Sequence, residues 1–171
     1  INIYNENTIF AEYKFDSGTG DSLYDHSGNR NHGIIHGATW VFDYSLELHG
    51  GANLKSFYAL PEDNSVVNVM LSLGDNVTGV ITEGGATTQL SPNFWVGSLT
   101  EISCSKGYWI IVNNNATLDI SDASACGNSY NLHEGANLTS FPSSGSANIS
   151  DALPDDIENS ITGIITEGGA T

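Results

Sequence analysis

Three sets of side chains in this sequence could do chemistry: clustered carboxylates, spaced histidines and a pair of cysteines. Asp16, Asp21 and Asp25 lie in a stretch dense in turn formers and could offer oxygen ligands to calcium, the cofactor candidate here, although the Asp-x-Asp-x-Asp-Gly spacing of a calcium-hand loop is missing. Asp151, Asp155, Asp156 and Glu158 form a second acidic group suited to weak divalent binding. His32 and His36 are four positions apart. In a β-like run that is about 13 Å at ~3.3 Å per residue, too far for two ligands of one zinc, so these two, with His49 and His133, read as surface or turn histidines. Glu83 and Glu167 each precede a Gly-Gly pair. A glycosidase needs two carboxylates about 5 to 9.5 Å apart across one sugar, which no spacing here establishes, and the turn setting predicts bonds to nearby backbone N–H groups instead. There is no Gly-x-Ser-x-Gly elbow, no phosphate-cradling Gly-x4-Gly-Lys loop and no paired Cys-x2-Cys motif, so the sequence points away from an enzyme. Cys104 and Cys126 are enough for one disulfide, worth roughly 3 kcal/mol through the unfolded chain in an oxidising compartment; two free thiols would belong to a reducing cytosol.

Trp40, Trp95 and Trp109 are the remaining candidates. With Tyr108 they could stack sugars, since flat aromatic faces with polar rims suit carbohydrates, while core packing is the commoner use of Trp in strands. The sequons at Asn76, Asn115, Asn137 and Asn148 are near what chance gives in a chain so rich in Asn, Ser and Thr, and they require no function.

Charge narrows the partners. Four Lys and Arg against 20 Asp and Glu give a formal charge of −16, which repels a phosphate backbone and an anionic lipid surface alike. No apolar run approaches the ~18 residues of a membrane span, and no signal peptide is visible. The first residue is Ile1 rather than Met, so a processed product or an excised piece is expected. The acidic, Lys-poor composition, rich in Gly, Ser, Thr and Asn, suits an extracellular or cell-surface protein, a virion surface included.

The elements that must position these groups are organised by a repeat. Residues 49–87 and 133–171 align without a gap at an offset of 84, with 17 identities in 39 positions. Repeats of this kind set architecture. Asn-Leu-x-Ser-Phe and Thr-Gly-x-Ile-Thr-Glu-Gly-Gly-Ala-Thr persist between the copies, whereas the acidic residues between them do not. Around the repeat, runs such as Ile9–Phe15, Val77–Thr82 and Gly107–Val112 have strand composition and are bounded by Gly, Asn and Asp turns. The strand 107–112 is apolar on both faces and is expected to be central and covered on both sides. Val66, Val69, Met70 and Leu73 follow helical spacing after a turn, Pro61 to Ser65, that could hold a helix cap, with Gly74 as a stop; β-branching and shortness leave a strand as the alternative, and Pro154 keeps the matching segment of the second copy short. The expected fold is mainly β, with antiparallel, sandwich-like sheets and one or two short helices. Its parts are an N-terminal β segment (1–48), a full repeat unit (49–132) and a truncated second copy (133–171).

Two resemblances bear on function. Tyr13-Lys14-Phe15-Asp16, Leu23 to Gly33 with its spaced Asn29 and Asn31, His36-Gly37-Ala38-Thr39-Trp40-Val41 and Ser45 to Gly50 together resemble the opening of laminin-G-like, concanavalin-A-type jelly-roll domains. That resemblance implies a β-sandwich, frequent glycan binding and, often, a calcium ion. Residues 48–171, with Asn-Leu-x-Ser-Phe, the Glu-Gly-Gly turn, Trp95-Val96-Gly97-Ser98-Leu99 and Gly107-Tyr108-Trp109, resemble a module repeated in large secreted surface proteins of marine bacteria. These readings lead to a non-enzymatic structural or adhesion module of a surface or fibre protein. Its expected partners are neighbouring repeat modules or identical subunits. A carbohydrate-binding module and a virion fibre or filament subunit are the alternatives. The half-copy 133–171 is expected to pack on the N-terminal segment or on a neighbouring subunit in place of its missing second half.

Overall fold

Short runs of β-branched and aromatic residues, cut by Gly, Asn and Asp, give many short strands and little helix. The computed structural model describes residues 1–5, 8–15, 18, 20–127, 129–141 and 144–170. It is mainly β, with antiparallel strand pairing. The chain forms two compact units, residues 1–42 and 43–171.

In the first unit, β1 (Asn2–Asn5) pairs with β2 (Thr8–Glu12), and β3 (Ser22–Leu23) pairs with β4 (Gly33–Ile34). The turn-rich run between β3 and β4 is sewn to β2: Asn29 Nδ2 donates to the Ile9 carbonyl at 2.9 Å and Asn31 Nδ2 to that of Phe10 at 2.8 Å.

In the second unit, β5 (Phe42–Leu48) begins at the boundary and lies beside β12 (Ala116–Ala125), which also pairs with β7 (Ala59–Leu60). Because β5 belongs to this sheet, the structural boundary falls at Phe42, before the sequence boundary at 48. The larger sheet has five strands in the order β10 (Phe94–Gly97), β9 (Gly85–Ser91), β8 (Val77–Thr82), β11 (Gly107–Val112) and β6 (Gly51–Ser56). A short α1 (Val66–Val69) and a 3-10 segment (Leu71–Asn76) lead into β8. Ser65 Oγ accepts from Asn68 N–H at the start of α1, and Gly74, at φ +53°, breaks the helical run. Thus the apolar stripe expected at Val66, Val69, Met70 and Leu73 is buried, but it is divided between two helical pieces.

The core lies under one face of the five-stranded sheet. Tyr108, Ile110 and Val112 of β11 point into it with Phe57, Leu118 and Ile120, each at most 2% exposed. The other face of β11 is open, with Trp109 exposed and Ile111 half-buried. The expectation that this strand is covered on both sides is therefore corrected: it is interior within its sheet but carries a layer on one face only. The second copy adds α2 (Ile149–Ala152), α3 (Asp155–Glu158) and the hairpin β13 (Ile165–Thr166) with β14 (Gly169–Ala170).

Candidate functional site

The residues shared by the two copies build one local device twice. His49 N–H donates to Asn53 Oδ1 at 2.9 Å, while Asn53 Nδ2 returns bonds to the carbonyls of His49 (2.8 Å) and Gly51 (3.1 Å). His133, Gly135 and Asn137 repeat the pattern at 2.9, 2.9 and 3.1 Å. Each Asn thereby satisfies backbone groups of a tight loop that would otherwise be left without partners, and the loop fixes the histidine at its first position.

The carboxylate facing each histidine comes from the other copy. His49 Nε2 is 2.6 Å from Glu167 Oε1, and Glu167 Oε2 accepts the Leu54 N–H at 3.0 Å. Reciprocally, His133 Nε2 meets Glu83 Oε1, and Glu83 Oε2 accepts the Leu138 N–H at 3.0 Å. Both glutamates sit at the tips of hairpins, β8–β9 and β13–β14. The next residue, Gly84 or Gly168, has φ +76° or +78°, a turn conformation that a Cβ disfavours.

The ring nitrogens fix the charge state. His49 Nδ1 stands 3.0 Å from the Gly50 carbonyl and His133 Nδ1 2.8 Å from that of Glu134. With an oxygen acceptor at both nitrogens, only the imidazolium makes both bonds. The Gly50 carbonyl, then Glu167, raises the pKa of His49 above its ordinary value; the Glu134 carbonyl and Glu83 do the same for His133. Glu83 is held below the usual carboxylate range by the Leu138 N–H and then by His133. Glu167 is lowered by His49 first and then by the Leu54 N–H, which together outweigh its partial removal from water. A carboxylate held this firmly ionised is a poor proton donor and a good anchor.

The second copy is also joined along its backbone. Gly107 N–H donates to the Leu138 carbonyl at 2.9 Å, Lys106 bridges Thr139, and Phe141 N–H donates to Ser56 Oγ at 3.2 Å. The half-copy therefore packs on β6, on the β8–β9 turn and on the residues at the start of β11, all elements of the first copy. From the 9–50 segment, His49 and the Gly50 carbonyl that its ring faces take part in the clasps described above.

Elsewhere, the predicted site residues take other roles. Asp16 lies outside the described residues. Asp21 accepts at Oδ1 from the Ser22 hydroxyl at 3.4 Å. Asp25 is buried, and its carboxylate accepts from Glu12 N–H, Ser27 N–H, Ser27 Oγ–H and Asn31 N–H at 2.8 to 2.9 Å. Desolvation opposes its ionisation, but those four donors together hold it well below the carboxylate range. Its oxygens thus organise the loop. His32 Nδ1 accepts the Asp25 N–H at 3.0 Å, which commits that nitrogen to the same loop. No group of three or more His, Cys, Asp or Glu placed to hold a metal occurs among the described residues; Asp151 instead accepts from Asn148 Nδ2 at 3.1 Å.

The tryptophans do not form a row. Trp40 belongs to the first unit, where Nε1 donates to the Gly20 carbonyl at 2.8 Å. Trp109 pairs with Ile81, which pairs with Ala86, whereas Trp95 pairs with Gln89. Ala86 and Gln89 differ by an odd number of positions, so Trp95 and Trp109 lie on opposite faces of the sheet. All four sequon asparagines, Asn76, Asn115, Asn137 and Asn148, spend their side chains on internal bonds.

Cys104 and Cys126 are joined in a disulfide, with Cα atoms 5.8 Å apart. Among the described residues no helix is long and apolar enough to cross a membrane. Sequence reasoning missed the histidine, the asparagine and the Leu N–H as parts of one device. The signal was present, because His, Asn and Glu are retained together in both copies while the acids between them are not. Fold and site thus define a mainly β, disulfide-bonded protein whose two repeat copies exchange Glu–His clasps. Comparison with protein-family models, curated proteins and solved structures finds no match.

Proposed function

We propose that the chain is a non-enzymatic structural or adhesion module of an extracellular surface or fibre protein. One observation carries this reading: the only carboxylate and histidine common to both copies are spent on holding copy to copy. Residues retained for cohesion suit a load-bearing or spacing role, in which tandem units gain stability from neighbour interfaces. The disulfide and the charge of −16 favour an oxidising compartment outside the cell. Antibody against the chain should label intact, unpermeabilised producing cells or particles, and protease shaving should remove that label. Labelling that appears only after permeabilisation would sink the proposal.

A carbohydrate-binding module is the second reading, favoured by the open ring of Trp109 beside exposed Ile81 on the outer sheet face. A glycan array with and without calcium separates the two, because the structural reading expects no saturable sugar binding.

A further inference from the structure

Tyrosines meet other aromatic rings at several places in this chain. Tyr13 meets Phe15, Tyr24 meets His32 and Tyr108 meets Phe57. Tyr44 and Tyr58 instead bring two phenols together, with ring centroids 4.4 Å apart and planes tilted by 37°. That separation is shorter than the roughly 4.5 to 7 Å usual for aromatic pairs, so ring carbons of the two residues are in contact. Each ring is held from its own side. Tyr44 lies in β5, at one edge of the three-stranded sheet in the order β5, β12, β7, and its hydroxyl donates to the Ala59 carbonyl of β7 at 2.7 Å. Tyr58 lies in the short link between β6 and β7, where its carbonyl accepts the Cys126 N–H at 3.0 Å. Burial first, and then the nearness of Tyr58, raise the pKa of Tyr44, so its hydroxyl keeps both its proton and its bond to Ala59. Both residues are half-buried, which fixes their shared face and leaves part of the pair open to solvent. With both cysteines of the chain in the disulfide, no thiol is present to quench a tyrosyl radical.

We propose that Tyr44 and Tyr58 form an oxidative crosslinking site, the paired substrate of a peroxidase-type one-electron oxidant that joins them as dityrosine. Each phenol in turn gives one electron to the oxidant and its hydroxyl proton to water. The two radicals then form one carbon–carbon bond between ring positions beside the oxygens. Each joined carbon sheds its hydrogen as its ring regains aromaticity, and each oxygen takes a proton back. In sum the chain loses two hydrogens and one hydrogen peroxide becomes two waters. Contact between the rings turns an encounter of two radicals into a step within one molecule. The new bond ties β5, which begins at the boundary with the first unit, to the link before β7. Peeling β5 from the second unit would then require a covalent bond to break. The inference goes beyond the structural reading and does not depend on it, since surface labelling and crosslinking can each fail alone.

The test treats the whole chain, at low concentration, with a haem peroxidase and limiting hydrogen peroxide. Trypsin cuts after Arg30, Lys55 and Lys106, so peptides 31–55 and 56–106 carry one tyrosine each, Tyr44 and Tyr58. Expected is a monomer lighter by two hydrogens, with dityrosine fluorescence, whose digest after reduction of the disulfide contains these two peptides joined. The yield per molecule should not change on dilution of the chain, because the reaction is internal. Y58F, which keeps the bond from Tyr44 to Ala59, should lower the yield of crosslinked monomer at least about tenfold, and Y44F should do the same. Y4F, which alters an exposed ring of the first unit, should leave it unchanged. Absence of a crosslinked monomer, a crosslink that maps to other peptides, or an undiminished yield from Y58F overturns the proposal. Dimers joined through other tyrosines as the sole product also overturn it.

Discussion

His49 and His133 are fully bonded only when charged, since each ring nitrogen faces an oxygen. Their pKa values are raised above 6.5, so their contribution to stability is complete below about 6.5 and is lost as pH rises through the higher folded value. Glu83 and Glu167 are lowered below 4.5, so theirs is complete above about 4.5 and is lost as pH falls through the lower folded value. The clasps should therefore be tightest between roughly pH 4.5 and 6.5. The E83Q/E167Q double variant is expected to melt a few degrees below the parent near pH 5.5, with the gap narrowing as pH rises through the raised pKa values of the two histidines. A gap independent of pH would mean that packing, not charge, joins the copies. Asp25 works by the same physics within one loop. D25N replaces a four-donor acceptor with a side chain that must present an NH2 group to some of those donors, so amide exchange at Glu12, Ser27 and Asn31 should speed up at least tenfold. The second unit, followed at Val80 and Ile110, should be unchanged.

Among the elements, β11 links the two copies: it pairs with β6 along its length and with β8 from Trp109 on, while Lys106 just before it bridges Thr139 and its first residue, Gly107, donates to the Leu138 carbonyl. This explains Gly107. A Cβ built there would lie 2.9 Å from the Thr139 carbonyl oxygen and 3.1 Å from the Leu138 side chain. G107A should therefore cost about 1 to 3 kcal/mol through overpacking. The loss should appear as faster exchange at Leu138–Ser140, with β8 and β9 still protected; uniform loss of protection across the sheet would place the strain elsewhere. The strands themselves were legible in the sequence, because Val77–Thr82 and Gly107–Val112 carry β-branched and aromatic runs between turn formers. The helix at Val66 was legible from its spacing, although β-branched residues left a strand open until the Ser65 cap was seen in the structure. Neither propensity nor period could show that Trp109 faces outward and Trp95 the other way, since that follows from cross-strand register. The pairing of Glu83 with His133 was equally hidden. Its two residues are 50 positions apart, and local pattern carries no information about which copy a hairpin tip will meet.

Over the whole molecule, 20 acids against four Lys and Arg mean that self-repulsion opposes compaction of the chain. Hydrophobic burial beneath the five-stranded sheet, the clasps and the disulfide all act against it. The disulfide joins Cys104 to Cys126 at the far end of β12, across a separation of 22 residues. Its neighbours tie it to both copies: Cys126 N–H donates to the Tyr58 carbonyl at 3.0 Å, and the Cys104 carbonyl accepts the Ser140 hydroxyl of the second copy. Closing a loop of that length should contribute about 3 kcal/mol through the unfolded state. The C104S/C126S variant is accordingly expected to lose about 3 kcal/mol in urea unfolding. Because Ser140 reads the position of the Cys104 carbonyl, the same variant should also speed exchange at Thr139–Phe141 under native conditions, before global unfolding. If stability falls while that segment stays protected, the bridge acts only on the unfolded chain, and the hold on the second copy belongs to the clasps and to the start of β11 alone.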